Sequence, residues 1–329
     1  MPAGTGYRRA GMTFSKIIGQ ERAVAMLHES VARGRLHHAL LFSGPKGVGK
    51  WRTAHALAAR LLCEAPLEKD ACSNCNSCRQ VSREIHPDAR FETLRTEEKK
   101  RDISIDQVRE VQSFLAGRAL GGGKKIVLVN EAQALSIPAQ NAFLKTLEEP
   151  PGNSLILLVT HNASALLPTV RSRCQRVPFA PLDGAVIERI LIEEPQGLAP
   201  DDARLLAVYA AGSLGAALST DIGWLRDMAA RLSSFLDANR SPTYAEISSL
   251  AREVLGSEKV TGPERALKIL GRLNLPLTLL RHRLRSAAGM PPPPMLGPAK
   301  TPSLRGTSLR YRSGRIVSGC SRRYETSRS

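Results

Sequence analysis

The heptapeptide GPKGVGK at residues 44–50 constrains the fold of this chain more than any other feature. It follows the apolar run HALLFSG at residues 38–44 and precedes a helical stretch from Lys50 to Cys63. A strand, a glycine-rich turn and a helix in this order are typical of a phosphate-binding loop, because backbone amides and the helix N-terminus attract an anion. We predict an α/β domain in which Gly44, Gly49 and Lys50 form the loop.

Strand-like apolar runs alternate with helical stretches from residue 13 to about residue 181. The predicted strands cover residues 38–44, 89–94, 124–130, 154–160 and 174–179. The helices predicted among them cover residues 50–63, 104–115 and 139–149, and a short helix is predicted between residue 160 and Arg171. This alternation predicts a parallel sheet with helices on both faces.

The chain beyond residue 181 is predicted to be helical and then to lose its pattern. A small all-α lid fits residues 182–220, and a second all-α domain, a collar, fits residues 221–285. Residues 1–12 are predicted to be a disordered leader. The Pro-, Ser- and Arg-rich residues 286–329 cannot build a core and are predicted to be disordered. A shifted reading frame or a species-specific extension after about residue 288 would explain this tail.

The net charge of the 329-residue chain is +17, from 47 basic and 30 acidic residues. The excess is concentrated at one end: residues 266–285 carry five basic and no acidic side chains, and residues 286–329 carry eight basic and one acidic. Charge alone therefore does not predict DNA binding by the folded part. Aromatic residues make up only 4%, which argues against a stacking platform for single-stranded nucleic acid.

The sequence contains no apolar run long enough to span a bilayer, and no apolar stretch follows the arginines near its beginning. We therefore expect a cytoplasmic protein with no membrane partner. In that compartment the six cysteines are expected to be thiols or metal ligands.

Two positions that normally hold magnesium in a phosphate-loop enzyme carry residues that supply no magnesium ligand or only a weak one. Trp51 stands where a serine or threonine hydroxyl is needed, and the strand IVLV is followed by Asn130-Glu131 instead of Asp-Glu. Glu131 keeps a carboxylate that could orient a water. We predict a degenerate loop that does not bind ATP and magnesium productively, while weak nucleotide binding without hydrolysis stays open.

Four cysteines have the spacing C-x8-C-x2-C-x2-C, at Cys63, Cys72, Cys75 and Cys78. Two C-x2-C steps predict a closed tetrahedral zinc site, which is structural because no coordination position stays open. The alternative is four thiols without a metal. Cys174 is interpreted as a buried strand thiol and Cys320 as a tail residue.

Two arginines flank Ser172 in the segment between the fourth and fifth predicted strands. In a ring of subunits an arginine here could reach the terminal phosphate of a neighbour's nucleotide, as an arginine finger does. The alternative is that Arg171 and Arg173 form ordinary surface ion pairs.

Together these segments resemble the clamp-loader branch of the AAA+ ATPases. The resemblance covers about residues 13–180, in IIGQERAV, GRLHHALLFSGPKGVGK, the four-cysteine module, NAFLKTLEEPPGNSLILLVT and LLPTVRSRCQ. It implies a subunit of the bacterial DNA polymerase III clamp loader. Trp51 and Asn130 depart from the gamma/tau motor subunits and match the non-hydrolysing delta-prime role.

The resemblance also implies partners and roles. The chain would join gamma/tau and delta subunits in a hetero-pentamer through its collar, and would act on the sliding clamp and primer–template DNA. It would belong to the polymerase III holoenzyme without an activity of its own. Arg173 would be the finger offered to an adjacent gamma subunit, and Thr160 lies near the sensor position of the ATPases. Glu148 and Glu149 are interpreted as packing or solvated residues.

Two other functions stay open. The chain could be a gamma/tau-type ATPase that binds and hydrolyses ATP itself, against which the loss of magnesium ligands argues. It could also be a zinc-bearing nucleic-acid adaptor that acts through its basic tail.

Overall fold

The computed structural model describes residues 13–93, 102–121, 123–193, 197–237 and 243–255, together with residues 273, 276, 277 and 280. The predicted leader, the predicted tail and nearly all of residues 256–285 lie outside the described part of the chain. Leu94, the last residue of the second predicted strand, also lies outside it.

Five strands form one parallel sheet in the order β2-β3-β4-β1-β5. They are β1 Ala39–Ser43, β2 Ala89–Glu92, β3 Lys125–Val129, β4 Ser154–Thr160 and β5 Gln175–Pro178. β1 lies between β4 and β5, so that Leu40 pairs with both Leu157 and Gln175. The predicted parallel sheet is confirmed, and four of its strands are two residues shorter than predicted.

The two faces of the sheet are covered by different helices. They are α1 Glu21–Ala32 and α2 Lys50–Leu62 on one face, and α4 Ile105–Ala116 and α5 Ile137–Glu148 on the other. Along β1, Leu40 and Phe42 pack into the hydrophobic cluster beneath α1 and α2, whereas Ala39 and Leu41 pack into the cluster beneath α4 and α5. Every residue of β1 and β4 is buried, as expected for strands covered on both sides.

Local capping explains where the helices begin and end. Ser104 and Gln107 form a capping box at the start of α4. The hydroxyl of Ser136 accepts the amide of Ala139, which starts α5 two residues earlier than predicted. Pro138 is tolerated in that first turn because its missing amide hydrogen has no helical partner there.

Short elements complete the sheet domain. α3 spans Asn76–Ser82 inside the cysteine module, and α6 spans Pro168–Arg171 before β5. Among the described residues, single-turn 3-10 helices cover Phe14–Lys16, Ala132–Ala134 and Ala163–Ala165. Neither α1 nor α3 was among the helices predicted from the sequence.

The part of the chain after β5 is helical, as predicted. Its described helices are α7 Gly184–Glu193, α8 Pro200–Ala210, α9 Leu214–Ser219, α10 Ile222–Asp237 and α11 Tyr244–Leu255. Leu225, Met228 and Leu232 of α10 pack into the same hydrophobic cluster as α7, α8 and α9. Arg226 of α10 also donates two hydrogen bonds to the carboxylate of Asp202 on α8. The first helix of the predicted collar thus packs directly on the predicted lid.

Within the described part of the chain, no helix is both long and apolar enough to cross a membrane.

Candidate functional site

The phosphate loop connects β1 to α2 as predicted, with Gly49 at φ 101° as the residue before the helix. Lys50 is only 6% exposed. Its ammonium donates to the carbonyl oxygen of Gly44 at 2.7 Å and to that of Pro45. Burial lowers the pKa of Lys50 to about 8, and the nearby charge of Lys46 contributes to this shift. The lysine is therefore held by the carbonyls of its own loop.

Basic side chains surround this loop at the carboxyl ends of the strands. The Nζ atom of Lys46 lies 3.7 Å from Oε1 of Glu131, which has a left-handed backbone at φ 50°. Burial lowers the pKa of His161, just after β4, and repulsion from Lys46 and Lys50 adds to this effect. The loop lysines and burial thus disfavour a charge on His161, and Glu131 pairs with a lysine of the loop.

The helical part covers the loop through a contact that the sequence analysis missed. The amide of Gly215, at the start of α9, donates to the carbonyl oxygen of Gly47 at 3.0 Å. A Cβ atom on Gly47 would collide with the hydroxyl of Ser213. The sequence signal was a second Gly-containing segment, AAGSLGAAL, at residues 210–218. Its partner across more than 160 residues could not be deduced from that pattern.

Trp51 occupies the position of the missing magnesium-holding hydroxyl. Its ring packs edge-on against His55, with centroids 4.6 Å apart, and against Phe91 of β2 at 6.4 Å. His55 is fully buried, stacks on Phe91 and hydrogen-bonds Oε1 of Glu84 at 3.0 Å. That hydrogen bond lowers the pKa of Glu84. Trp51 is therefore a packing residue at the edge of the core.

The second magnesium-holding position lies at the same edge of the sheet. The amide of Asn130 donates to the carbonyl oxygen of Glu92 at 2.8 Å, just beyond the end of β3. Thr160 is the last residue of β4, is 1% exposed and donates to Oε1 of Gln133 at 2.9 Å. Asn130 thus follows β3 and Thr160 ends β4, and both lie at the edge of the sheet from which the phosphate loop leaves β1.

The four predicted cysteines converge at the end of α2. All their sulfur atoms lie within 4.8 Å of one another, with Cys63 and Cys75 at 3.9 Å and Cys72 and Cys78 at 3.9 Å. A tetrahedral zinc ion with Zn–S bonds of about 2.3 Å needs sulfurs about 3.8 Å apart. The donor set and its spacing therefore fit a tetrahedral metal ion.

Backbone amides support the cysteine cluster. The amides of Cys72, Cys75 and Cys78 each donate to the sulfur of the preceding cysteine at 3.3 Å. Hydrogen bonds from the amides of Asn74 and Cys75 lower the pKa of Cys72 to about 6, whereas burial raises the pKa of Cys63 and of Cys78. These amides would stabilise thiolates around a metal ion.

Two polar contacts anchor the cysteine module to the rest of the domain. The hydroxyl of Ser77 donates to the carbonyl oxygen of Leu62 at 2.6 Å and contacts Nε2 of His86 at 2.7 Å. The carboxylate of Asp70 accepts the amides of Phe14 and Ser15, both at 3.0 Å. The module is therefore tied to α2 and to the beginning of the sheet domain. None of these contacts was predicted from the sequence.

Arg173 lies between α6 and β5, at the edge where the strands begin. Its Nη2 and Nε atoms donate to Oε2 of Glu148 at 2.9 Å and 3.1 Å, and Nη1 donates to the carbonyl oxygen of Thr169. Its side chain is 33% exposed. The ion pair gives Glu148, interpreted from the sequence as a packing or solvated residue, a defined partner.

Cys174 immediately precedes β5 and is partly buried, where the sequence analysis expected a buried residue within the strand. Burial raises the pKa of this thiol to about 12. It lies outside the cluster of four cysteines. Cys320 is outside the described residues.

A parallel sheet in this strand order, with a phosphate loop after β1 and helices after β5, defines an AAA+-type P-loop protein. Residues 19–183, half of the chain, match the family model described as DNA polymerase III, delta subunit. The chain belongs to this family.

Individual relatives are similar over the same part of the chain. It is 41% identical over 168 residues to the DNA polymerase III subunit delta' of Pseudomonas aeruginosa, covering 50% of each chain. It is 36% identical over 211 residues to the DNA polymerase III subunit tau of Escherichia coli, covering 63% of this chain and 32% of that one. The chain thus spans about half the length of one relative and about a third of the other.

Among solved structures, the chain is similar to the RuvB Holliday junction branch migration motor of Thermotoga maritima. The TM-score is 0.45 at 15% identity, over 87% of this chain and 86% of that one.

Proposed function

We propose that this chain is a non-hydrolysing, delta-prime-type subunit of a bacterial DNA polymerase III clamp loader. Its role is to assemble with the motor subunits and to act on a nucleotide bound by a neighbour. The family membership, and the similarity to both a delta' and a tau subunit, support a place in this complex. The phosphate loop distinguishes the delta-prime role from the motor role.

The packing of Trp51 is the observation that carries the proposal. Phosphoryl transfer depends on a metal ion that neutralises developing charge. Trp51 supplies no oxygen, and its ring packs edge-on against the stacked rings of His55 and Phe91. Asn130 offers only an amide oxygen at the second position, which is a weaker magnesium ligand than a carboxylate. The contact of Gly215 with Gly47 further restricts access to the loop.

The position of Arg173 supports a role on a neighbouring subunit. Gln175, which begins β5, pairs with Leu40, four residues before Gly44 of the loop. At about 3.3 Å per residue in a parallel strand, this offset places Gln175 roughly 13 Å along the strand direction from Gly44, and Arg173 lies two residues before Gln175. Arg173 lies at the end of the sheet where the strands begin, whereas the phosphate loop lies at the end where they finish. Arg173 could therefore serve as a finger only for a phosphate bound by another chain.

The cysteine cluster is proposed to hold a structural zinc ion. Four thiolates complete a tetrahedral site and leave no position for a substrate. Between residues 63 and 78 the core cluster takes up Ala71 and the four cysteines, so the metal would supply the crosslink of the module. Zinc would thereby fix the module to the end of α2.

Assembly is proposed to involve the helices after β5, with residues 221–285 forming the collar. The partners would be gamma/tau and delta subunits, and the assembled complex would load the sliding clamp on primer–template DNA. Contacts of this chain with DNA would be made to the backbone and would weaken with salt. We do not assign DNA binding to the net charge, since most of the basic excess lies beyond residue 265.

The proposal is tested with the isolated chain and with a complex reconstituted from wild-type motor subunits. The isolated chain should not hydrolyse ATP, and turnover abolished by Lys50→Ala would overturn the proposal. Arg173→Ala should lower turnover by the complex about tenfold or more, because finger arginines stabilise transition-state charge. Arg171→Ala, at an exposed position two residues earlier, is the matched control and should leave turnover unchanged.

A further inference from the structure

Arg173 is held in one orientation by a residue from a distant part of the chain. Two of its nitrogen atoms, Nε and Nη2, donate to the same carboxylate oxygen of Glu148. A third, Nη1, donates to the carbonyl oxygen of Thr169 at 3.1 Å. A guanidinium has five N–H groups, so these contacts leave one N–H on each terminal nitrogen for another acceptor.

The fold brings Glu148 and Arg173 together because both lie where the strands begin. Glu148 is the last residue of α5, which returns the chain from the end of β3 to the start of β4. Arg173 follows α6 closely and lies two residues before the start of β5. The carboxylate of Glu148 thus lies beside Arg173 although 25 residues separate them.

The adjacent glutamate provides a contrast. Glu149 is exposed, and only its backbone amide, which donates to the carbonyl oxygen of Lys145, has a described hydrogen bond. Within the described part of the chain its carboxylate forms no ion pair. The two carboxylates thus differ in their contact with Arg173, although both lie at the end of one helix.

We propose that Glu148 is a positioning residue for Arg173, which holds the guanidinium so that its two remaining N–H groups can reach a neighbour's terminal phosphate. The inference rests on the proposed role of Arg173 as a finger in trans. A flexible arginine would have to be ordered at each turnover, whereas one that is already ordered acts on the transition state without that cost. Glu148 itself touches no substrate.

The experiment measures steady-state ATP hydrolysis by a complex of the full chain and wild-type motor subunits. Glu148→Ala should lower kcat about 3- to 10-fold and leave the KM for ATP unchanged, since positioning acts on the transition state. Glu148→Gln keeps an oxygen acceptor and should lie between the wild type and Glu148→Ala. Glu149→Ala is the matched control and should leave both parameters unchanged.

A double variant separates positioning from a merely structural effect. In the Arg173→Ala background, Glu148→Ala should have no further effect on kcat, because its consequence passes through the arginine. An equal loss in both backgrounds would overturn the inference, as would unchanged or increased turnover in the single variant. Unchanged turnover in Arg173→Ala alone would contradict the finger role of Arg173. The inference about Glu148 rests on that role and would then also be wrong. The midpoint of thermal unfolding is measured for each variant. A lowered midpoint identifies a variant whose loss of turnover comes from misfolding.

Discussion

The amide of Gly215 donates to the carbonyl oxygen of Gly47 at 3.0 Å, so that the first turn of α9 lies directly on the phosphate loop. Gly47 has a left-handed backbone at φ 77°. A Cβ atom built on Gly215 would lie 2.9 Å from the Cα atom of Gly47. Two glycines are needed here because two segments of backbone approach more closely than side chains allow. The helical part is thereby packed against the loop.

Gly215→Ala should destabilise the protein by about 1–3 kcal/mol, because overpacking forces the backbone apart. The free energy of unfolding is measured with denaturant, and the protection of the Gly215 amide by hydrogen exchange. Both should fall in the variant. Gly123→Ala is the control, since a Cβ atom added there would meet no other atom of the described residues within 4 Å. Equal unfolding free energies for Gly215→Ala and the wild type would show that the contact is not tightly packed.

Cys75→Ser should lower zinc affinity by more than about 100-fold. The variant loses one of the four sulfur ligands, which costs more affinity than the loss of a contact that only orients a ligand. Zinc content after dialysis and the midpoint of thermal unfolding should both decrease. Cys174→Ser changes a thiol outside the cluster and should retain the metal. If Cys75→Ser binds zinc as tightly as the wild type, the four-cysteine site is wrong.

Trp51→Thr restores a hydroxyl at the magnesium position but should not restore ATP hydrolysis. Asn130 still lacks a carboxylate, and the loop is still covered by α9. The variant should lose about 1–3 kcal/mol of stability because Trp51 no longer packs against His55 and Phe91. Trp51→Phe keeps an aromatic ring and should lose less. ATP turnover by Trp51→Thr, absent from the wild type, would contradict this expectation.

The Asp202–Arg226 ion pair should make the free energy of unfolding depend on pH in the acidic range. The hydrogen bonds from Arg226 lower the pKa of Asp202 in the folded protein. A lowered pKa means that the folded state favours the carboxylate, so the ion pair stabilises the protein above the unfolded pKa of about 3.9. Its contribution should disappear as the pH falls through the folded-state pKa.

This pH dependence is measured as the difference in unfolding free energy between the wild type and Asp202→Asn. The difference should be constant above about pH 5 and shrink below about pH 4. Asp201→Asn changes an exposed residue in the same helical turn and should not reproduce that dependence. A difference that stays constant through the acidic range would show that the ion pair does not stabilise the fold through its charge.

Much of the sheet domain could be predicted because its strands are continuous apolar runs. The range of β4 was predicted without error, since polar residues and glycine bound SLILLVT closely. α1 was missed although its apolar residues recur at helical spacing, and the structure shows that its face with Ala23 and Leu27 is buried. α3 was missed because a cysteine sulfur, an unusual cap, starts it.

The candidate site was predictable in its residues and less so in its contacts. The spacing of the four cysteines was sufficient to predict that they meet, because two short steps leave the sulfurs close together. The contact between Glu148 and Arg173 could not be deduced in the same way. Both are charged residues that the sequence pattern would place at the surface, and no motif links them. Their contact depends on the connection of α5 to β4 and on the position of β5 beside β1.

The sequence by itself determined the parallel sheet, the phosphate loop with altered magnesium-holding positions, and the group of four cysteines. Each of these follows from residues close together along the chain, where spacing and side-chain chemistry decide the outcome. Only the tertiary structure decided that α9 covers the loop, that Trp51 packs on Phe91, and that Glu148 holds Arg173. Those contacts join segments far apart in the chain, and they form because burial of the sheet's two faces fixes where each helix begins and ends.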